Sequence, residues 1–365
     1  MKLIRPFTGL AALALIAAAC GGGGESADST SAPTTSTTTT TVKATTTTSS
    51  STTTTTTMPV TIRQPLTGQP LESEDEILQR PALVAKIDNN AAAVPNHSGL
   101  AVADIVFEEI VEGRTTRFAA VFHSLSSDPI GPIRSGRTQD VALFSSFNSP
   151  LFVWSGGNPG VTRIINESTL INMGPSVAKG YFRGPGGAPH NLYTSTDNIW
   201  LQTPPDQPGP PLQQYQYLDD REAVDGAPTS GVKVRVGSEN IEWTWNPDVS
   251  KFERSQRGRA HDDKVFGRIG ATNVIVMGVE YGRSAVDRNS PEALTVGEGP
   301  IWMLTDGQVR QGRWKRDIGI YPIEFLTPDG DPMELGPGNT WIELADIVDV
   351  DAGGVQVLEV TPPAP

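Results

Sequence analysis

Arg134 and Arg137 stand three residues apart in GPIRSGRTQD, a Gly-, Ser- and Pro-containing stretch from Gly131 to Asp140. A guanidinium presents a fixed fork of N–H donors that matches the oxygens of a carboxylate or phosphate. A helix is expected to follow, with Thr138 as N-cap and Val141, Ala142 and Phe144 at helical spacing. Its first turn would add unpaired backbone N–H groups and the positive end of the helix dipole. Two arginines beside such an end form an anion site. The alternative is a latch. Glu108, Glu109 and Glu112 in ADIVFEEIVEG can neutralise both arginines, and Asp140 can meet the helix N–H groups itself.

Other loops offer partners for that chemistry. Arg117 opens a strand and can join the arginine cluster, whereas Arg114 reads as an exposed strand-end residue. WSGGNPG places Gly156 and Gly157 at a strand end, where backbone can approach a ligand closely or simply turn. FRGPGGAPHNLY, Phe182 to Tyr193, carries His190 as a general acid or base, Asn191 as its orienter and Arg183 facing an anionic substrate. Its plainer reading is a Gly/Pro loop pinned by His190. If the chain is an enzyme, His190 works with Glu108 or Glu109 as its carboxylate partner and the arginines stabilise charge. Neither a nucleophile elbow, a paired-histidine zinc motif nor a P-loop is present, so Ser135 and Ser155 lack a motif that would make either a nucleophile. The four histidines are His97, His123, His190 and His261, and HDD at His261 to Asp263 reads as a solvated turn. No metal and no cofactor is expected.

The elements that must position these residues fall into two styles. ALVAKID (Ala82 to Asp88), Ala103 to Gly113, Thr116 to Ser124 and Leu151 to Gly157 read as strands, with helices after Thr138, from Pro159 and from Ser195 or Thr196. Strands alternating with short helices imply a layered α/β domain over residues 61–201. QTPPDQPGPPLQQ (Gln202 to Gln214) is a Pro-rich linker or a long surface crossing. Beyond it VKVRV and IEWTWN alternate, and Asp306-Gly307 sits between two alternating stretches as a hairpin turn. Residues 215–352 therefore read as a mainly antiparallel β domain, giving an α+β or α/β chain overall, with 353–365 as a tail. Trp243, Trp245, Trp302, Trp314 and Trp341 read as core or cross-strand pairs, with a sugar-stacking row as the alternative.

The N-terminus fixes the compartment. Lys2 and Arg5, then the apolar run Gly9 to Ala19, make residues 1–20 a signal peptide too short to span permanently. It ends at Cys20, the only cysteine, in AAAC followed by GGGG, which resembles a bacterial lipobox. Acylation there, palmitate included, would anchor the mature chain to the outer face of the membrane. No thiol then remains for a disulfide, a thiolate nucleophile or a zinc ligand. Of the 28 residues from Thr30 to Thr57, 18 are Thr and 5 are Ser, so residues 21–60 read as a disordered stalk. As a free coil the stalk spans roughly 35 Å. The formal net charge is −13, which argues against nucleic acid or anionic lipid as the main partner.

Several blocks together, RPALVAKIDNN, IGPIRSGRTQDVALF, SGGNPG and APHNLY, then HDDKVFGRIGATNVIVMGVEY, GQVRQGRWKR and MELGPGNTWIEL, resemble the YerB-like lipoproteins, the family of domain of unknown function 3048. The resemblance implies a two-part fold at an extracytoplasmic surface and carries no activity. Where family members often have His-Ala-Gly-Gly, this chain has Trp154-Ser155-Gly156-Gly157. The expectation is a lipid-anchored protein that binds an anionic wall polymer through Arg117, Arg134, Arg137, Gly156, Gly157, Arg183 and Asn191. The alternatives are a hydrolase of envelope glycan or phosphodiester bonds, and a protein-docking scaffold. No particular protein partner is implied.

Overall fold

The computed structural model describes residues 61–219 and 223–360. The expected signal peptide with Cys20, the expected stalk and residues 361–365 lie outside the described residues. The described chain is mostly strand with a few short helices. Leu83–Asp88, Ile105–Ile110, Thr116–Phe122 and Leu151–Val153 form where strands were expected, and Gln139–Phe144, Pro159–Asn166 and Thr196–Trp200 form as helices. Pro159 sits in the first helical turn, and the Asn158 side chain caps it by accepting from Val161 N.

These strands share one eleven-stranded mixed sheet with strands from the second half of the chain. The join is Thr340–Asp346, which lies parallel to Ile105–Ile110 on one side and to Asn273–Val279 on the other. The Asp306-Gly307 hairpin continues the sheet outward, pairing Gly297–Thr305 with Gln308–Arg316. A second, six-stranded sheet is built on Gly231–Val236, Glu239–Asn246 and Lys251–Gln256. Its edge strand Val355–Leu358 comes from the segment expected as a tail. The Pro-rich crossing bonds back onto the first half through Gln207 to Asn148 O at 3.1 Å and Gln214 to Ser146 O at 3.1 Å.

The two faces of the large sheet are covered differently. On one, Val106, Phe118, Ala120, Val274 and Trp341 pack against Val232, Val234, Trp243 and Phe252 of the second sheet. On the other, Val84, Phe107, Ala119 and Val121 pack against Leu143, Phe144, Val161 and Ile165 of the helices. Trp243, Trp314 and Trp341 are buried, and Trp245 and Trp302 are half-buried, so these tryptophans belong to packing. Because successive strand side chains point to opposite faces, neighbouring charges part company here. Lys86, Asp88, Glu109 and Arg117 fall on the helix side, in step with Val84, Phe107 and Ala119. Glu108 and Thr116 fall on the other side, in step with Val106 and Phe118.

Candidate functional site

Asp88 ends its strand almost fully buried, and two basic side chains converge on its Oδ2. His190 Nδ1 lies 2.5 Å away and Arg134 Nε 3.2 Å away. The short His190 contact to a carboxylate puts the imidazole proton on Nδ1. Its Nε2 has no partner among the described residues, and the side chain is 21% exposed. The Arg134 contact is close enough for an ion pair but not aligned as a hydrogen bond, and the buried Nε has no hydrogen-bond partner. The loop is fixed through its backbone instead. Arg134 N donates to Lys86 O at 2.8 Å, and Arg134 O accepts from Ser155 N at 2.9 Å.

Arg117 lies directly across the strands from both Asp88 and Glu109. It is 7% exposed, and its Nη1 donates to Ser135 O at 2.8 Å. No carboxylate among the described residues pairs with it. Burial, then the charges of Arg137 and Arg134, push its guanidinium down to about 10 against the pull of Glu112 and Asp88. Arg137, in contrast, is fully engaged. It forks onto Glu112 through Nε to Oε1 at 2.6 Å and through Nη2 to Oε2, and its Nη1 donates to Gly136 O at 2.6 Å. Burial opposes ionisation of Glu112, but the Arg137 bonds and charge, helped by Ser290, leave its carboxyl below the usual range.

Beneath this layer Lys86 is held wholly buried between Glu109 and Asp140, with Asp140 Oδ1 at 2.8 Å. Burial and the Asp140 charge push the Glu109 carboxyl up to about 7 in spite of Lys86. Asp140 also takes the Arg137 backbone N–H at 2.6 Å.

The Gly131–Asp140 loop thus divides between the two outcomes its sequence left open. Arg137 is a latch on Glu112. The Arg134 side chain is tethered to Asp88 and makes no other bond among the described residues. The expected helix is six residues long, its start is met by Asp140, and its N-terminus forms no anion site. Thr138 does not cap it; its hydroxyl lies 2.9 Å from both Ser284 Oγ and Glu292 Oε2.

Other expectations are redistributed. Glu108 is not near His190. It lies on the opposite face of the sheet, bonded to Arg254, Thr116 and Asn89. Glu109 is on the correct face, but its partner is Lys86. Asn191 does not orient His190; it accepts from Arg183 Nη1 at 3.0 Å and donates to Gly186 O at 3.0 Å, bracing the loop. Arg183 is exposed and held by that bond. Gly156 does reach the Gly131–Asp140 loop, its carbonyl accepting from Gly136 N at 3.2 Å. Its φ of 99° alone accounts for a glycine there, since a Cβ would meet no neighbour within 4 Å. Gly157 is exposed and its missing Cβ would press on Val161 at 3.0 Å. His261 is no solvated turn residue: it is buried against Arg254 and His97.

Two residues central to this geometry, Lys86 and Asp88, were not picked out by type. The signal for them was a lysine and an aspartate at alternate positions of the apolar run ALVAKID, hence on one face.

Comparison with known proteins places the chain. Residues 66–208 match the protein of unknown function (DUF3048) N-terminal domain, and residues 232–342 match the DUF3048 C-terminal domain. YerB of Bacillus subtilis, whose name describes it as a lipoprotein, is 29% identical over 313 residues, covering 80% of this chain and 88% of its own length. The crystal structure of Bacillus subtilis YerB superposes with a TM-score of 0.69 at 24% identity, covering 82% of this chain and all of that one, and so shares the fold. With both family domains present in order, the chain belongs to the DUF3048 family.

Proposed function

We propose that this chain is a lipid-anchored extracytoplasmic protein that binds an anionic cell-envelope ligand at Arg134, Arg117 and His190. The anchor would be Cys20, and the lipoprotein name of the YerB relative supports that assignment. Among the described residues no helix is long and apolar enough to cross a membrane. The observation that carries the binding reading is the state of Arg134. Its guanidinium touches one carboxylate oxygen, shares that oxygen with His190 and makes no hydrogen bond among the described residues. Arg117, buried beside it without a carboxylate of its own, adds positive potential. An incoming anion would supply the missing acceptors.

The test is binding of inorganic phosphate and of isolated wall polymer to the full chain and its Arg134→Gln variant. Charge-assisted hydrogen bonds contribute about 1.5–3 kcal/mol each, so affinity should fall on the order of 10- to 100-fold. Arg134 is partly exposed, so the variant keeps its fold. Equal affinity of the two proteins would remove the site from consideration.

One observation favours a second reading, hydrolysis of phosphodiester or glycan bonds. The His190–Asp88 pair leaves Nε2 outward as a base, with an oriented imidazole and neighbouring arginines. On that reading His190→Gln lowers turnover of bis-p-nitrophenyl phosphate by roughly 10²- to 10⁴-fold. A wild-type chain with no turnover sinks it.

A further inference from the structure

Val111 and Gly113, the residues flanking Glu112, line a cavity of about 390 Å³. Its floor is the end of the central strand, Ile110 and Val111, and its wall is the hairpin formed by Tyr281–Arg283 and Pro291–Ala293. Three arginines line it: Arg114, Arg283 and Arg288. Arg114 is committed, pairing with Asp346 at 3.5 Å and with Asp349. Arg283 and Arg288 are exposed and have no ion pair or hydrogen bond among the described residues. Two unneutralised cations facing one concavity are conspicuous in a chain whose net charge is −13.

The cavity is physically joined to the site already described. Glu112 takes the Arg137 fork, and Ser290 of the hairpin loop helps to hold its carboxyl down. Thr138, next to Arg137, contacts Ser284 and Glu292 of the hairpin, and Gln139 accepts from Ala293 N at 2.7 Å. The hairpin that carries Arg283 and Arg288 is therefore seated on the loop that carries Arg134.

We infer that the Arg283/Arg288 cavity binds a further anionic group of the ligand held at Arg134, so that the ligand is a polyanion with repeating negative groups. This rests on the binding reading of the Arg134 site. A chain of phosphates passing from Arg134 and Arg117 over the neutralised Arg137–Glu112 pair would meet positive charge at both ends. Linking two weak contacts in one ligand raises affinity without any new contact.

The experiment is calorimetric titration of the full chain with orthophosphate and with tripolyphosphate, on wild type, Arg283→Ala/Arg288→Ala and Arg134→Gln. Wild type is expected to bind tripolyphosphate at least about tenfold more tightly than orthophosphate. The double variant, altered only at exposed side chains, should lose that gain and keep orthophosphate binding. Charge reversal, Arg283→Glu/Arg288→Glu, should weaken tripolyphosphate further. A gain from chain length that survives both changes overturns the inference. So does equal affinity for the two probes. Tripolyphosphate binding that is unaffected by Arg134→Gln but lost in the double variant overturns the Arg134 reading and leaves the cavity as the binding site.

Discussion

Arg254→Ala is expected to lower stability by about 3–5 kcal/mol, enough to drop the melting temperature on the order of 10 °C. Arg254 is wholly buried on the face opposite the candidate site. It pairs with Glu108, lies 3.5 Å from Glu343, and donates to Gln256 Oε1 at 2.9 Å and His261 Nδ1 at 2.7 Å. Its guanidinium also sits 5.1 Å from the Trp341 ring centre and 5.3 Å from that of Phe118. Burial, then the neighbouring Glu108 charge, push the Glu343 carboxyl well up, and Glu108 makes the closer pair with Arg254. Removing Arg254 strands Glu108 as a buried charge. The partner change therefore diagnoses the cause: Glu108→Gln in the Arg254→Ala background should recover part of the loss. If the double variant is no better than the single one, or the single one melts with wild type, the stranded-charge argument fails.

This network also reaches the site. Arg254 can only donate, so His261 accepts at Nδ1 and carries its proton on Nε2. That proton points at His97 Nδ1, 2.7 Å away, and His97 Nε2 then donates to Asp88 O at 2.6 Å. Burial holds His97 down to about 4 and His261 well below its ordinary range, so both stay neutral at physiological pH. The backbone of Asp88, which gathers His190 and Arg134 through its side chain, is thus hung from the core of the second sheet.

How much of this was legible depended on periodicity. Leu83–Asp88, Thr116–Phe122 and the Asp306-Gly307 hairpin follow from apolar runs and turn chemistry that local sequence specifies. The join between the halves did not, because the parallel pairing of Ile105–Ile110 with Thr340–Asp346 spans more than two hundred residues and leaves no local mark. The candidate site was half legible. Arg134, His190, Gly156 and Arg117 do assemble around one loop. Glu108 and Glu109 could not be told apart by pattern, because both faces of their strand are buried and the polar-out alternation that labels a face is missing. The carboxylate that His190 meets lies 102 positions away at Asp88, inside a run that reads as ordinary core.

Lys86→Met should be the second severe change, about 3–5 kcal/mol near pH 8 and less near pH 5. Wild type encloses one ammonium and two carboxylates with no exposure at Lys86, Glu109 or Asp140. Without the ammonium, two like charges share a dry pocket, and only protonation relieves them. Glu109 shows the strain already. Its carboxyl stands at about 7 in the fold, against 4.5 unfolded. A raised acid binds its proton more tightly when folded, so this group favours folding below about 4.5 and loses that contribution as pH climbs through about 7. The buried histidines act the other way. His97 and His123, each held at about 4, hold their contribution above 6.5 and lose it as pH falls toward 4. The whole-protein profile mixes the two, so the informative quantity is the difference between Glu109→Gln and wild type. Glu109→Gln leaves Lys86 and Asp140 as a one-to-one pair, and denaturant titrations at pH 5, 6, 7 and 8 should show it gaining on wild type at each step. A constant difference across that range would mean that Glu109 keeps one protonation state throughout, and that Lys86 neutralises it fully.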